Sequence, residues 1–135
     1  MTDQSKISGK ISGGTGRGAF FTQLDWVRAQ CLEKLGFVPW PGTLNLEIQM
    51  KDVVLVEKLR LKNGIELISP DENFCSGYVV PVSLEGTSAA IVIPADDVRV
   101  HPKNIVEIIA SQCLKEILGV KDGDTITLTI GSCYE

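Results

Sequence analysis

Apolar and polar positions along the chain recur with two different periods. Lys6 to Ser12 alternates, with Ile7 and Ile11 apolar and Lys6, Ser8, Lys10 and Ser12 between them. That predicts a strand with one wet face. Thr125 to Ile130 alternates without interruption and is the clearest strand in the chain. Between them, Leu24, Val27, Cys31 and Leu35 recur at helical spacing, while Trp26, Arg28, Gln30 and Lys34 cover the other sides. The helix they predict stops at Gly36, a residue suited to the left-handed turn that ends helices. Thr22, three residues before Asp25, approximates a capping box and marks its start.

The remaining segments are shorter. Leu44 to Ile48 reads as a strand, Ile65 to Ile68 as another after an Asn63-Gly64 turn, and Ser69 to Asn73 as loop. Residues 51–61 support two readings, because the run Val53 to Val56 favours a strand and Glu57 to Arg60 a helix. Ala19 to Phe21 is a brief strand. Cys75 to Leu84 and Thr87 to Ile93 are β-rich and joined at Glu85-Gly86, which predicts a hairpin, with Pro81 at an edge or bulge. Residues 94–104 are polar and irregular. Ile105 to Ala110 is an apolar run holding one carboxylate, Glu107. Ser111 is positioned to cap a short helix from Gln112 to Leu118, closed by Gly119, and Asp122-Gly123-Asp124 turns the chain into the last strand. Six or seven short strands, two or three helices and no regular crossovers predict a mainly β (α+β) fold. The form expected is a small, mostly antiparallel barrel with helices packed outside, rather than a doubly wound parallel sheet.

Composition narrows the function classes. The 135 residues are 44% hydrophobic and 22% charged, enough for one domain (1–135) with a proper core. No apolar run approaches the roughly 20 residues that span a bilayer, and Met1 to Lys6 carries no secretory pattern. A cytoplasmic protein with no membrane partner is the expectation. The net charge of −4 argues against a nonspecific nucleic-acid binder, yet leaves room for a small anion held by backbone amides. Cys31, Cys75, Cys113 and Cys133 are scattered, with no Cys-x-x-Cys pair and His101 remote, so they read as buried thiols rather than a zinc site.

Three segments can carry chemistry. Gly36 to Glu47 (Gly-Phe-Val-Pro-Trp-Pro-Gly-Thr-Leu-Asn-Leu-Glu) sets a rigid turn before a strand. Thr43 and Asn45, two apart, then share one face while Leu44 and Leu46 take the other. Two neutral oxygens side by side can hold a hard cation, or simply wet the strand's outer face. Gly13 to Gly18 contains four glycines in six residues, enough to form an anion-binding nest of amides or merely a hairpin connection. It has neither the P-loop ending nor the dinucleotide spacing. Glu107, set among isoleucines and valine, is either a functional carboxylate or a strand-end residue facing water. Trp40 and Phe21 read as core by default, and Asp122 and Asp124 as turn formers.

Taken together, Gly9, Gly14-x-Gly16-x-Gly18-x-Phe20-Phe21, Leu35-Gly36-Phe37-x-Pro39 and Pro41-Gly42-Thr43-Leu44-Asn45-Leu46 resemble the archaeal-type CTP-dependent riboflavin kinases. Ile93-Pro94, His101, Glu107 to Ala110 with Leu114, and Asp122-Gly123-Asp124 continue the resemblance through nearly the whole chain. It implies a six-stranded cradle-loop-type β-barrel that turns CTP and riboflavin into CDP and FMN with one Mg2+ per site. By the same resemblance, Gly14, Thr15, Gly16, Arg17, Gly18 and Ala19 would lie over the nucleotide, with Gln112, Cys113, Leu114 and Lys115 on its other side. Thr43 and Asn45 would ligate Mg2+, and Glu107 would meet the flavin as base or clamp. Such a set suits phosphoryl transfer, which needs alignment and charge neutralisation more than covalent help.

The chain departs from the family pattern with Ser111 for proline, Lys115 for arginine, and no threonine ahead of His101. Lysine meets phosphate as a point charge, without the arginine fork. Two other classes compete with the kinase. One is a catalytically degenerate module that binds nucleotide or flavin; the other is a DNA-binding regulatory barrel, disfavoured by the acidic balance and the lack of a helix-turn-helix segment.

Overall fold

The computed structural model describes residues 4–13, 22–70, 77–94 and 104–131. Seven strands and three helices are seen among them: β1 (Gln4–Ser12), α1 (Asp25–Leu35), β2 (Leu44–Ile48), α2 (Met50–Asn63), β3 (Ile65–Leu67), β4 (Gly77–Leu84), β5 (Thr87–Pro94), β6 (Ile105–Ile109), α3 (Leu114–Leu118) and β7 (Thr125–Gly131). Every strand pairing is antiparallel, in the order β3-β4-β5-β6-β2-β1-β7, and a further β4–β7 pairing closes the sheet. The result is a six-stranded antiparallel barrel, the form the family resemblance implied, with β3 lying outside it.

Alternation sorts the side chains into two apolar layers. Ile7, Ile11, Leu44, Leu46, Val80, Ile91, Val106, Ile108, Ile126 and Leu128 fill the barrel. Val53, Val56 and Leu59 of α2 and Leu114 of α3 join the same cluster. A second layer lies outside, where Val27 and Cys31 of α1 pack on Leu67, Val79, Ala90 and Ile109. Helix α1 also secures the outlying strand. The Gln30 side chain donates to the Ile68 carbonyl at 2.7 Å and accepts the Ile68 N–H at 2.8 Å, and Lys34 donates to the Glu66 carbonyl at 2.7 Å. Backbone groups that an edge strand leaves unpaired are thereby occupied.

The hairpin between β4 and β5 turns at Glu85 (φ 50°) and Gly86 (φ 88°), two left-handed residues that match strand twist. Pro81 is not at an edge strand or bulge: it pairs with Ala90 of β5, and on the other side of β4 it falls between the stretch paired with β3 (residues 77–79) and the stretch paired with β7 (residues 83–84).

One open reading is settled and three local expectations are corrected. Residues 51–61 are helical, because Val53, Val56 and Leu59 are buried at helical spacing and Val54 and Leu61 are exposed. Gly64 ends that helix with an extended backbone (φ −70°, ψ 136°), rather than forming a hairpin turn with Asn63. Helix α3 starts at Leu114, not Gln112, and Ser111 makes no cap, since its N-cap position is Cys113 with no side-chain bond. Thr22 likewise does not cap α1, whose N-cap is Leu24. The brief strand at 19–21 and the irregular stretch at 95–103 lie outside the described residues. No helix among the described residues is long and apolar enough to cross a membrane, which says nothing of strands.

Candidate active site

Register, more than sequence proximity, assembles this site. Asn45 of β2 stands opposite Glu107 of β6 on one side and Ser12 of β1 on the other. Residues directly opposite in an antiparallel pair send their side chains to the same face. Leu44, Leu46, Val106 and Ile108 take the barrel interior, so Asn45, Glu107 and Ser12 share the outer face. Chain order then sets Gly13, the entry to the glycine-rich loop, one residue beyond Ser12.

Thr43 completes the row. Its hydroxyl donates to Glu107 Oε1 at 3.0 Å and lies 3.5 Å from Asn45 Oδ1. A hydroxyl has one proton, and the shorter, charge-assisted contact to Glu107 takes it. The lone pairs of Thr43 therefore remain available beside the Asn45 carbonyl. Asn45 is 4% exposed, whereas Glu107 is half-buried.

On its other side Thr43 lines a cavity of about 150 Å3 at the mouth of the barrel. Trp40, Pro41 and Gly42 form one wall, Leu44, Ile108 and Ala110 the floor, and Gln112, Cys113, Leu114 and Lys115 the opposite wall. A backbone bond from Trp40 N–H to the Ala110 carbonyl (2.7 Å) ties the first wall to the end of β6. Trp40 is 46% exposed, against the expectation of a core residue. Leu114 is buried in the barrel core and offers the cavity only its edge. Lys115 is held at 2.6 Å by Asp122, with both side chains exposed. The Asp122 carboxylate also stands over Gly13, 3.8 Å from where a Cβ would be. Asp122 is therefore more than the turn former its sequence context suggested.

Thr43, Asn45 and Glu107 thus come together, and Thr43 adjoins Gln112 to Lys115 through the cavity. Gly14, Thr15, Gly16, Arg17, Gly18 and Ala19, and His101, lie outside the described residues. The sequence reading missed Thr22 and Asp122. Thr22 was spent on a helix cap, and nothing local distinguishes a cap hydroxyl from one that reaches 20 residues ahead. No group of three or more His, Cys, Asp or Glu side chains suited to a metal occurs among the described residues.

Comparison with known proteins identifies the family. The family model of the CTP-dependent riboflavin kinase domain, described as domain of unknown function DUF120, matches residues 11–130. A riboflavin kinase of Archaeoglobus fulgidus is 36% identical over 129 residues, covering 93% of this chain and 54% of the relative. Those of Pyrobaculum islandicum (36%, covering 93% and 60%) and Saccharolobus solfataricus (34%, covering 93% and 73%) are similar to it as well. The chain spans a little over half the length of most of these curated relatives. With the family model covering so much of the barrel, the chain belongs to the CTP-dependent riboflavin kinase domain family.

Proposed function

We propose that this domain transfers the γ-phosphate of CTP to the 5′-hydroxyl of riboflavin, giving CDP and FMN, in the cytoplasm and without a nucleic-acid or membrane partner. The observation that carries the reading is the double position of Thr43, hydrogen-bonded to Glu107 and at the same time lining the cavity bounded by Gln112 to Lys115. A nucleotide in that cavity would have its phosphates beside the oxygens of Thr43 and Asn45, with Glu107 on the flavin side. The cavity is smaller than the ~300–1,000 Å3 pockets that enclose drug-sized ligands, so it would take part of the nucleotide. Residues Gly14 to Ala19 would cover the rest.

The donor set fits Mg2+. It is a hard ion that favours oxygen, keeps several waters and leans on substrate phosphates, so two protein oxygens suffice. Thr43 and Asn45 would hold it, and when bound it would neutralise charge on the phosphates being separated. Lys115 would add a cation at the nucleotide wall, oriented by Asp122. Glu107, within hydrogen-bond reach of Thr43, would take the proton that leaves the riboflavin hydroxyl as the new P–O bond forms.

A second reading, a module that binds nucleotide or flavin without transfer, draws on the same lysine, because Asp122 offsets its charge before any phosphate arrives. One assay separates the two. Purified protein with riboflavin and Mg2+ should form FMN with CTP and markedly less with ATP. Absence of FMN with every nucleotide would leave only the binding module.

A further inference from the structure

Thr22 is 0% exposed, one of two buried polar side chains among the described residues, the other being Asn45. It caps no helix. Its Oγ1 instead accepts the N–H of Gly42 at 2.8 Å, across 20 residues of chain. Gly42 has φ 115°, a conformation that L side chains rarely adopt, and it immediately precedes Thr43. Without a side chain, a glycine peptide has wide conformational freedom unless something outside pins it. Here one pin is the Trp40 N–H bond to the Ala110 carbonyl, and the other is Thr22. The first fixes where the turn crosses β6. The second fixes the peptide from which Thr43 projects.

We propose that Thr22 is a positioning residue for the cation-binding turn: its hydroxyl holds the Gly42 amide so that the Thr43 and Asn45 oxygens converge. The proposal rests on the reading of Thr43 and Asn45 as Mg2+ ligands. A ligand set of only two protein oxygens is sensitive to such a hold, because misplacing one oxygen removes half of what the protein contributes.

The test is a Mg2+ titration of kinase activity, paired with calorimetric Mg2+ binding in the presence of CDP and without turnover, in Thr22→Val, Thr22→Ala and Thr22→Ser, with Asn45→Ala as control and circular dichroism to establish folding. Thr22→Ser keeps the hydroxyl and should have a half-saturating Mg2+ concentration within about twofold of the parent. Thr22→Val and Thr22→Ala should need roughly tenfold more Mg2+ with an unchanged KM for riboflavin, as expected for a misaligned site. A normal Mg2+ requirement in both overturns the proposal. So does a raised one in Thr22→Ser, where methyl packing would be the cause, or loss of fold in both hydroxyl-free variants, where the bond would serve folding. Asn45→Ala decides the underlying reading separately: full activity there removes the cation assignment whatever Thr22 does.

Discussion

At the residue scale, Glu107 carries the sharpest expectation. Its carboxylate accepts the Thr43 hydroxyl at 3.0 Å, and on the proposed reading that places it beside the phosphates as a base. Glu107→Gln keeps the shape and an acceptor oxygen for Thr43 but cannot take up a proton. Steady-state kinetics should give a fall in kcat of about 100-fold, at the low end of general-base contributions, with the KM for riboflavin within a few-fold. The opposite split, a raised KM with kcat retained, would make Glu107 a flavin clamp. The residue itself was legible in the sequence as a carboxylate among apolar neighbours. Its partner was not, because Thr43 lies 64 residues away and only the β2–β6 register joins them.

At the scale of elements, β1 and β2 cross closely at Gly9. A Cβ there would stand 2.6 Å from Leu46 Cγ and 2.8 Å from the Glu47 carbonyl oxygen. The Leu46 side chain is wholly buried, and the carbonyl belongs to strand backbone, so neither can give way cheaply. Gly9→Ala should therefore destabilise the protein by about 1–3 kcal/mol, as overpacking does. Denaturant unfolding would register this as a lower midpoint at unchanged slope, and an unaltered midpoint would mean that the strands separate freely. The alternating pattern of residues 6–12 foretold the strand. It gave no hint of the close crossing, which depends on what β2 brings opposite. Residues 51–61 teach the same lesson: a run rich in valine became helix α2 because three of its apolar side chains reach the barrel core only at helical spacing.

At the scale of the whole molecule, the outer layer under α1 couples stability to pH. Burial of Cys31 between α1 and the sheet pushes its thiol from the ordinary 9.0 up to about 11, with the Lys34 ammonium pulling modestly the other way. A thiol with a raised folded pKa favours the folded state fully below pH 9 and loses that contribution as pH rises toward 11. Thermal unfolding of the parent and of Cys31→Ala should accordingly differ most near pH 8 and converge by about pH 10.5. A gap that stays constant across that range would mean the thiol ionises as freely as in the unfolded chain. The same burial makes Cys31 slow to alkylate, and half-buried Cys113 at the cavity wall should react before it.

What the sequence determined by itself is local: the period of each segment, hence which residues face together. Thr43 and Asn45 share a face because a strand repeats every two residues, and Gly36 stops α1 because its φ of 87° suits glycine. Six or seven alternating segments without crossovers also sufficed for an antiparallel barrel. Only the tertiary structure decided the pairings between distant segments. The β4–β7 contact closes the barrel, Asn45 stands opposite Glu107, and Thr22 reaches Gly42. Those choices rest on contacts between residues far apart in the chain, which no local period records. The pairing of Thr43 and Asn45 was thus legible at the start of β2, whereas their contacts with Glu107 and, through Gly42, with Thr22 came from the fold.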